Sequence, residues 1–149
     1  MTTSDERALL DTNVLIYAAD AGSPFHEPAR QLRDRGFRGE LPLVVSPQVL
    51  LEFFAVVTNS RRVQTPRSPQ EATAEMAKYM RAHHIRTIYP RPDILQRVLG
   101  LHAQHPQVTR QEIFDLYLAA TMLSNGITRI YTYNQQHFTP FQELTVLIP

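Results

Sequence analysis

The sequence predicts an α/β domain in which helices cover both faces of a mainly parallel sheet. Short apolar runs, typical of strands buried on both faces, alternate with helical patterns along the chain. Serine-proline pairs and capping boxes mark where several helices begin. A chain of 149 residues is long enough to bury about 70% of its unfolded surface. We therefore predict a single domain over residues 1–149.

Four apolar runs predict the strands of the sheet. They are Ala8 to Leu10, Leu43 to Val45, Thr128 to Tyr133 and Thr145 to Ile148. The segment from Thr87 to Tyr89 fits either a short strand or an extended link. In an open α/β sheet, ligands bind beyond the carboxyl ends of the strands, near the point where the strand order reverses.

Capping residues predict where the helices begin and end. Serine precedes a proline that suits the first helical position in Ser23-Pro24, Ser46-Pro47 and Ser68-Pro69. Two capping boxes follow the pattern Ser/Thr-x-x-Glu, from Ser68 to Glu71 and from Thr109 to Glu112. Asn125-Gly126 should close the helix that the second box opens, with the glycine in left-handed geometry.

Three acids, Asp11, Glu52 and Asp115, interrupt apolar sequence near the starts of predicted helices. An ionised carboxylate that is buried without a partner is costly, so it pairs, protonates or binds a metal. The only lysine is Lys78, and the arginines lie mostly outside these apolar stretches. A divalent cation is the simplest partner, and in a chain of this length it would be functional rather than structural.

Helix and strand geometry brings these acids to one rim of the sheet. Asp11 directly follows the first strand, and Asn134 follows the strand that ends at Tyr133. Helical spacing predicts that Glu52 points inward, and that Asp115 lies about two turns into its helix. Carboxylate oxygens suit Mg²⁺ or Mn²⁺, ions that activate water and neutralise phosphoryl oxygens during phosphodiester hydrolysis.

Each acid also has a structural interpretation. Asp11 could cap a helix, as could Thr12 or Asn13, while Glu52 could form a core salt bridge and Asp115 could favour a helix N-terminus. The capping box already explains Glu112, and a metal-binding role for it is the alternative. The histidines have no paired metal-binding spacing and are interpreted as surface or helix-end residues, at His26, His83, His84, His102, His105 and His137.

Composition excludes several other classes of protein. Without cysteine there is no disulfide framework, thiolate zinc site or thiol catalysis, which fits a reducing compartment. The sequence has no apolar run of membrane-spanning length and no signal-peptide pattern, so we expect a cytoplasmic protein. The formal net charge of +1 does not itself predict a nucleic-acid binder. All basic residues except Lys78 are arginine, which suits phosphate contacts but is also typical of GC-rich genomes.

Four segments together resemble the PIN domain, and the chain length and the closing Leu144 to Pro149 resemble its VapC-type ribonuclease toxins. The segments are Leu9 to Tyr17, Ser46-Pro47 leading to Glu52-Phe53, Phe114 to Ala120, and Thr132 to Phe138. The resemblance implies a three-layer α/β/α fold. It also implies an endoribonuclease toxin that uses Mg²⁺ or Mn²⁺ to cut RNA, forms a homodimer and is inhibited by a cognate antitoxin.

The resemblance also implies roles for individual residues. Asp11, Glu52 and Asp115 fall on the three core acidic, metal-binding positions, and Thr132 falls on the small hydroxyl position. The chain departs from the family at Asn134, where many members have aspartate. Others have asparagine there and aspartate three positions later, where this chain has His137. We therefore expect Asn134 to contribute through its amide without adding charge.

Alternative functions remain open at this point. A PIN scaffold that binds RNA or a protein but cuts poorly would also explain the neutral Asn134. A phosphoacceptor receiver domain needs a lysine near its acidic pocket, and Lys78 lies in a helical surface context. A haloacid-dehalogenase-like phosphatase would have D-x-D where this chain has Asp11-Thr12-Asn13, and neither glycine-rich nucleotide motif occurs.

Overall fold

The structure, a computed structural model, describes residues 6–149 and contains one sheet of five parallel strands. The strands are β1 (Ala8–Leu10), β2 (Leu43–Val45), β3 (Arg86–Thr87), β4 (Arg129–Tyr131) and β5 (Thr145–Leu147). Their order across the sheet is β3-β2-β1-β4-β5, and every neighbouring pair is parallel. The predicted sheet is confirmed, with β3 beginning one residue before the expected segment.

Six α-helices connect these strands within the described residues. They are α1 (Thr12–Ala19), α2 (His26–Phe37), α3 (Pro47–Val57), α4 (Pro69–Arg81), α5 (Ile94–Gln104) and α6 (Glu112–Ser124). α1 packs against α2 and α3, α3 against α4, and α5 against α6. None of these helices is long and apolar enough to span a membrane.

The strand order explains how the helices divide into two layers. Crossovers between parallel strands are right-handed, so the direction of travel across the sheet decides which face a helix covers. Helices α1 to α4 connect β1 to β2 and β2 to β3, whereas α5 and α6 connect β3 back to β4 in the opposite direction. The result is the predicted three-layer α/β/α fold. Its central strands β1 and β2 are wholly buried, which explains their uninterrupted apolar sequences.

Most capping predictions are confirmed. Ser46 caps α3 by accepting from the Val49 N–H at 3.4 Å. Both halves of the Ser68 and Glu71 capping box form, at 2.9 and 3.1 Å. Gly126 has a φ of +74° directly after α6, as the left-handed closing predicts.

Two predicted helix starts are wrong. α2 begins at His26 rather than at Pro24, because Ser23 instead accepts from the Phe25 N–H at 3.1 Å and holds a turn. α6 begins at Glu112, because Arg110 takes a left-handed φ of +54° that no helix can include. Glu112 still accepts from the Thr109 N–H at 3.2 Å, which is one half of the expected box.

Candidate active site

The candidate site lies where the strand order reverses, between β1 and β4. Asp11 directly follows β1 and Thr132 directly follows β4, so both leave the carboxyl ends of neighbouring strands. The Asp11 N–H donates to the Tyr131 carbonyl at 3.0 Å, which continues the pairing of the two strands up to the site. This is where open α/β sheets place ligands.

Asp11 is the most buried acid of the site, with 9% of its surface exposed. Its carboxylate accepts from the Thr132 hydroxyl at 2.8 Å, the Thr12 N–H at 2.8 Å and the Asn13 amide at 3.2 Å. Burial raises the pKa of Asp11, and the hydrogen bonds from Thr132 and Thr12 only partly oppose that effect. Asp11 also caps α1, so the helix-capping interpretation of this residue is confirmed as well.

Asn13 is a site residue that the sequence identified only as a possible cap. Its side-chain NH₂ group donates to the Asp11 carboxylate at 3.2 Å and to the Thr132 hydroxyl oxygen at 3.1 Å. Its side-chain oxygen accepts from the Tyr133 N–H at 3.1 Å. It therefore joins the start of α1 to the segment after β4. The signal in the sequence was an amide side chain in the first helical turn after the first acid.

Glu52 reaches the site but does not point into the core, so that part of the prediction is wrong. Its side chain is exposed because position 52 lies at the edge of the buried face of α3, beside Val49 and Phe53. Its carboxylate accepts from the Gln48 amide at 2.9 Å and from the Thr12 hydroxyl at 3.4 Å. The Thr12 contact brings Glu52 to the same rim as Asp11.

Asp115 lies in the first turn of α6 rather than two turns into it, because the helix begins late. Its side chain is 28% exposed, and His137 Nδ1 lies 3.5 Å from its Oδ2. The pKa of Asp115 is raised to about 6, chiefly by burial and also by repulsion from Asp11, Glu52 and Glu112, while His137 opposes the shift. The charges of Asp11, Glu52 and Glu112 therefore all act on the carboxyl group of Asp115.

His137 and Asn134 flank the acids from the segment after β4. The interpretation of His137 as a plain surface residue is incomplete, since its ring is 46% exposed and yet meets Asp115. Asn134 has an exposed side chain, and its backbone N–H donates to the Thr132 hydroxyl oxygen at 2.9 Å. Its catalytic role remains a prediction.

The donor set fits a hard divalent cation. Carboxylate oxygens dominate it, and within residues 6–149 no lysine or arginine forms a salt bridge with Asp11, Glu52 or Asp115. Their mutual repulsion is the condition that a bound Mg²⁺ or Mn²⁺ would relieve. In the described part of the chain, no three acidic or histidine side chains lie close enough to form a preassembled metal cluster.

Comparison with known proteins identifies similar sequences and folds. A family model described as PIN domain matches residues 8–142. The chain is 29% identical over 132 residues to ribonuclease VapC24 of Mycobacterium tuberculosis, covering 89% of each protein. It superposes on M. tuberculosis VapC20, described as a sarcin-ricin loop cleaving toxin, with a TM-score of 0.69 and 17% identity over 95% of this chain and 99% of that one. It also superposes on VapBC2 from Rickettsia felis bound to a promoter DNA fragment, with a TM-score of 0.68 and 14% identity over 96% and 98%.

Proposed function

Because this chain belongs to the PIN domain family, we propose that it is a metal-dependent endoribonuclease that hydrolyses RNA phosphodiester bonds. The name ribonuclease carried by its relative VapC24 supports the activity. The observation that carries the proposal is that Asp11 at the N-cap of α1, Glu52 in α3 and Asp115 in α6 converge on one rim. The pKa values of the Asp11 and Asp115 carboxyl groups are both raised, so the site favours a partner that carries positive charge.

We assign the metal to the same three acids. Asp11, Glu52 and Asp115 would hold Mg²⁺ or Mn²⁺, which when bound activates water and neutralises charge on the phosphoryl oxygens. Thr132 and Asn13 fix the orientation of the Asp11 carboxylate through the hydrogen bonds described above. Asn134 lies beside Thr132 and can orient water or substrate through its amide, without adding charge.

The same site suggests how a cognate antitoxin would silence the enzyme. A structural neighbour is the VapBC2 assembly, which supports a protein partner. A buried Asp11 and a half-buried Asp115 suit an arginine, whose guanidinium pairs carboxylates bidentately. We propose that this toxin acts as a homodimer and that the antitoxin places a basic side chain between those acids. A purified complex that still cleaves RNA at the rate of the free toxin would argue against this arrangement.

The direct test of the activity is RNA cleavage with and without a metal. Purified protein stripped with EDTA should leave RNA intact, and added Mn²⁺ should restore cleavage. Mapping the new 5′ ends would identify the target. RNA that remains whole at saturating Mn²⁺ would contradict the proposal.

A second candidate function is a PIN scaffold that binds RNA or a protein but cleaves poorly. The neutral Asn134 favours it, because an asparagine adds no negative charge to hold a cation. Tight RNA binding without cleavage at saturating Mn²⁺ would select this scaffold over the enzyme.

A further inference from the structure

Three aromatic rings from separate segments form a cluster beside the acids. The Phe25 centroid lies 4.7 Å from that of Tyr133 and 5.2 Å from that of Tyr17, and the two tyrosines are 5.3 Å apart. The tyrosines meet edge to face at 68°, whereas Phe25 tilts by 36° and 39° against them. Each member of this ring cluster contacts the other two, at centroid distances within the range that is typical of interacting aromatic pairs.

The ring cluster is attached to the proposed catalytic site. Tyr133 directly follows Thr132, and its N–H donates to the Asn13 side chain at 3.1 Å. Tyr17 lies four residues after Asn13 in α1, on the same helix face and roughly 5–6 Å further along. Asn13 is itself bonded to Asp11, so a short chain of contacts joins the rings to the most buried acid.

Phe25 presents the open side of the cluster. It is 44% exposed, although both tyrosines are only partly exposed and pack against the core. The turn held by Ser23 delays the start of α2 and keeps Phe25 outside that helix. A single exposed apolar side chain needs no explanation. Phe25, however, is held in place by two other rings at the rim of an acidic site, so its exposure calls for an explanation.

We propose that Tyr17, Phe25 and Tyr133 form a stacking platform that binds an unpaired RNA base next to the phosphate held at the acids. This inference rests on the proposed ribonuclease function and assigns the residues that would contact a base of its substrate. Proteins that recognise single-stranded RNA stack its splayed bases on aromatic side chains, whereas the bases of a duplex are not available for stacking. Phe25 supplies the accessible ring, and the tyrosines fix its orientation.

Basic and acidic side chains alternate along α2 beyond the ring cluster. His26 follows Phe25, and its Nδ1 lies 2.9 Å from the Tyr17 carbonyl oxygen. It lines a pocket of about 380 Å³, whose charged residues are Arg30, Arg33, Arg67, Lys78, Asp34 and Glu75. Arg30 pairs with Glu27 and Asp34, while Arg33 and Lys78 share Glu75, so the four basic residues exceed these three acids by one charge. A polynucleotide needs this combination of rings and cations, whereas an apolar protein segment would need only the rings.

The test uses a short single-stranded RNA of mixed sequence that carries 2-aminopurine, a base whose fluorescence is quenched on stacking. With Ca²⁺ present, Phe25→Leu should bind this RNA about 10-fold more weakly than the wild type and lose the quenching. Phe25→Tyr keeps a ring and should retain both, and Phe25→Met provides a second apolar variant without a ring. Tyr89→Leu is the matched control, since Tyr89 is 54% exposed and belongs to no ring pair in residues 6–149.

Cleavage kinetics with Mn²⁺ separate this inference from the proposed function. Phe25→Leu should raise KM with little change in kcat, because a stacking contact acts on ground state and transition state alike. Equal RNA affinity and equal quenching in wild type and Phe25→Leu, with cleavage intact, would overturn the platform alone. Loss of affinity for a protein partner but not for RNA would also overturn it. Failure of the wild type both to bind and to cut RNA would overturn the ribonuclease function and the platform together.

Discussion

The hydroxyl of Thr132 donates a hydrogen bond of 2.8 Å to the carboxylate of Asp11, although the two residues are 121 positions apart. Thr132 is fully buried, and its oxygen also accepts from the Asn13 amide and from the Asn134 N–H. One hydroxyl thus joins the end of β1, the start of α1 and the segment after β4. We infer that Thr132 is the residue that positions Asp11.

Thr132→Val removes this hydroxyl while keeping the shape of the side chain. We expect cleavage to fall by about 10 to 100-fold, as is typical when support for a metal ligand is lost. The free energy of unfolding should fall by about 1–3 kcal/mol, because buried groups of Asp11 and Asn13 lose a partner. Thr132→Ser keeps the hydroxyl and should retain most of the activity. Wild-type cleavage by the valine variant would show that Asp11 does not depend on Thr132.

Added metal should raise the melting temperature, because a cation that binds only the folded state stabilises it. At a concentration of about 100 times its Kd, the gain is about 2.7 kcal/mol. Mn²⁺ should stabilise more than Mg²⁺, following the usual affinity order. Calorimetric scans of the wild type and of Asp11→Asn check this, since the variant should respond much less. Identical scans with and without millimolar Mn²⁺ would leave the metal site without support.

The raised pKa of Asp115 predicts how the stability of the metal-free protein depends on pH. Its folded pKa is about 6, against an ordinary value of 3.8, so the folded state binds the proton more tightly than the unfolded state. This contribution to stability is fully present below about pH 3.8 and is lost as the pH rises through about 6. We compare the free energy of unfolding of the wild type with that of Asp115→Asn in EDTA. The wild-type value minus the variant value should be larger at about pH 5 than at about pH 7. Parallel pH profiles for the two proteins would contradict the assigned cause.

Two helical glycines provide a matched test of the packing. A Cβ on Gly36 in α2 would lie 2.5 Å from the Cδ1 of the buried Leu43, whereas one on Gly100 in α5 would meet no atom within 4 Å. Gly36→Ala should therefore destabilise the protein by about 1–3 kcal/mol through overpacking. Gly100→Ala should stabilise it by about 1 kcal/mol through helix propensity. Chemical denaturation measures both, and a stabilising Gly36→Ala would show that α2 packs less closely on β2.

The sequence predicts the central strands and the position of Asp11 well, for a physical reason. Parallel strands buried on both faces need continuous apolar runs, and these are visible at Ala8–Leu10 and Leu43–Val45. Asp11 follows such a run directly, so its location depends only on local sequence. The caps at Ser46 and Ser68 are equally local. These local features explain why the fold class and the position of Asp11 at the end of β1 could be predicted.

The predictions that fail depend on contacts between distant segments or on unusual backbone geometry. Asn13 meets Thr132 across 119 positions, and no local pattern indicates that pair. The left-handed Arg110 has no sequence signal, since this conformation is uncommon for residues other than glycine, and it delays the helix of Asp115. Glu52 lies at the edge of a helix face, where periodicity alone does not separate buried from exposed.

The most direct test of the central claim is the rate of RNA cleavage at saturating Mn²⁺ by the wild type, Asp11→Asn, Glu52→Gln and Asp115→Asn. We predict that each substitution lowers the rate by at least about 100-fold, because each removes a metal ligand. The melting temperature in EDTA should stay the same or rise, because mutual repulsion is relieved. Asp93→Asn, an exposed aspartate at the start of α5, is the matched control and should cleave normally. Wild-type cleavage by Asp11→Asn and Asp115→Asn would contradict the account, because the activity would then not come from this site.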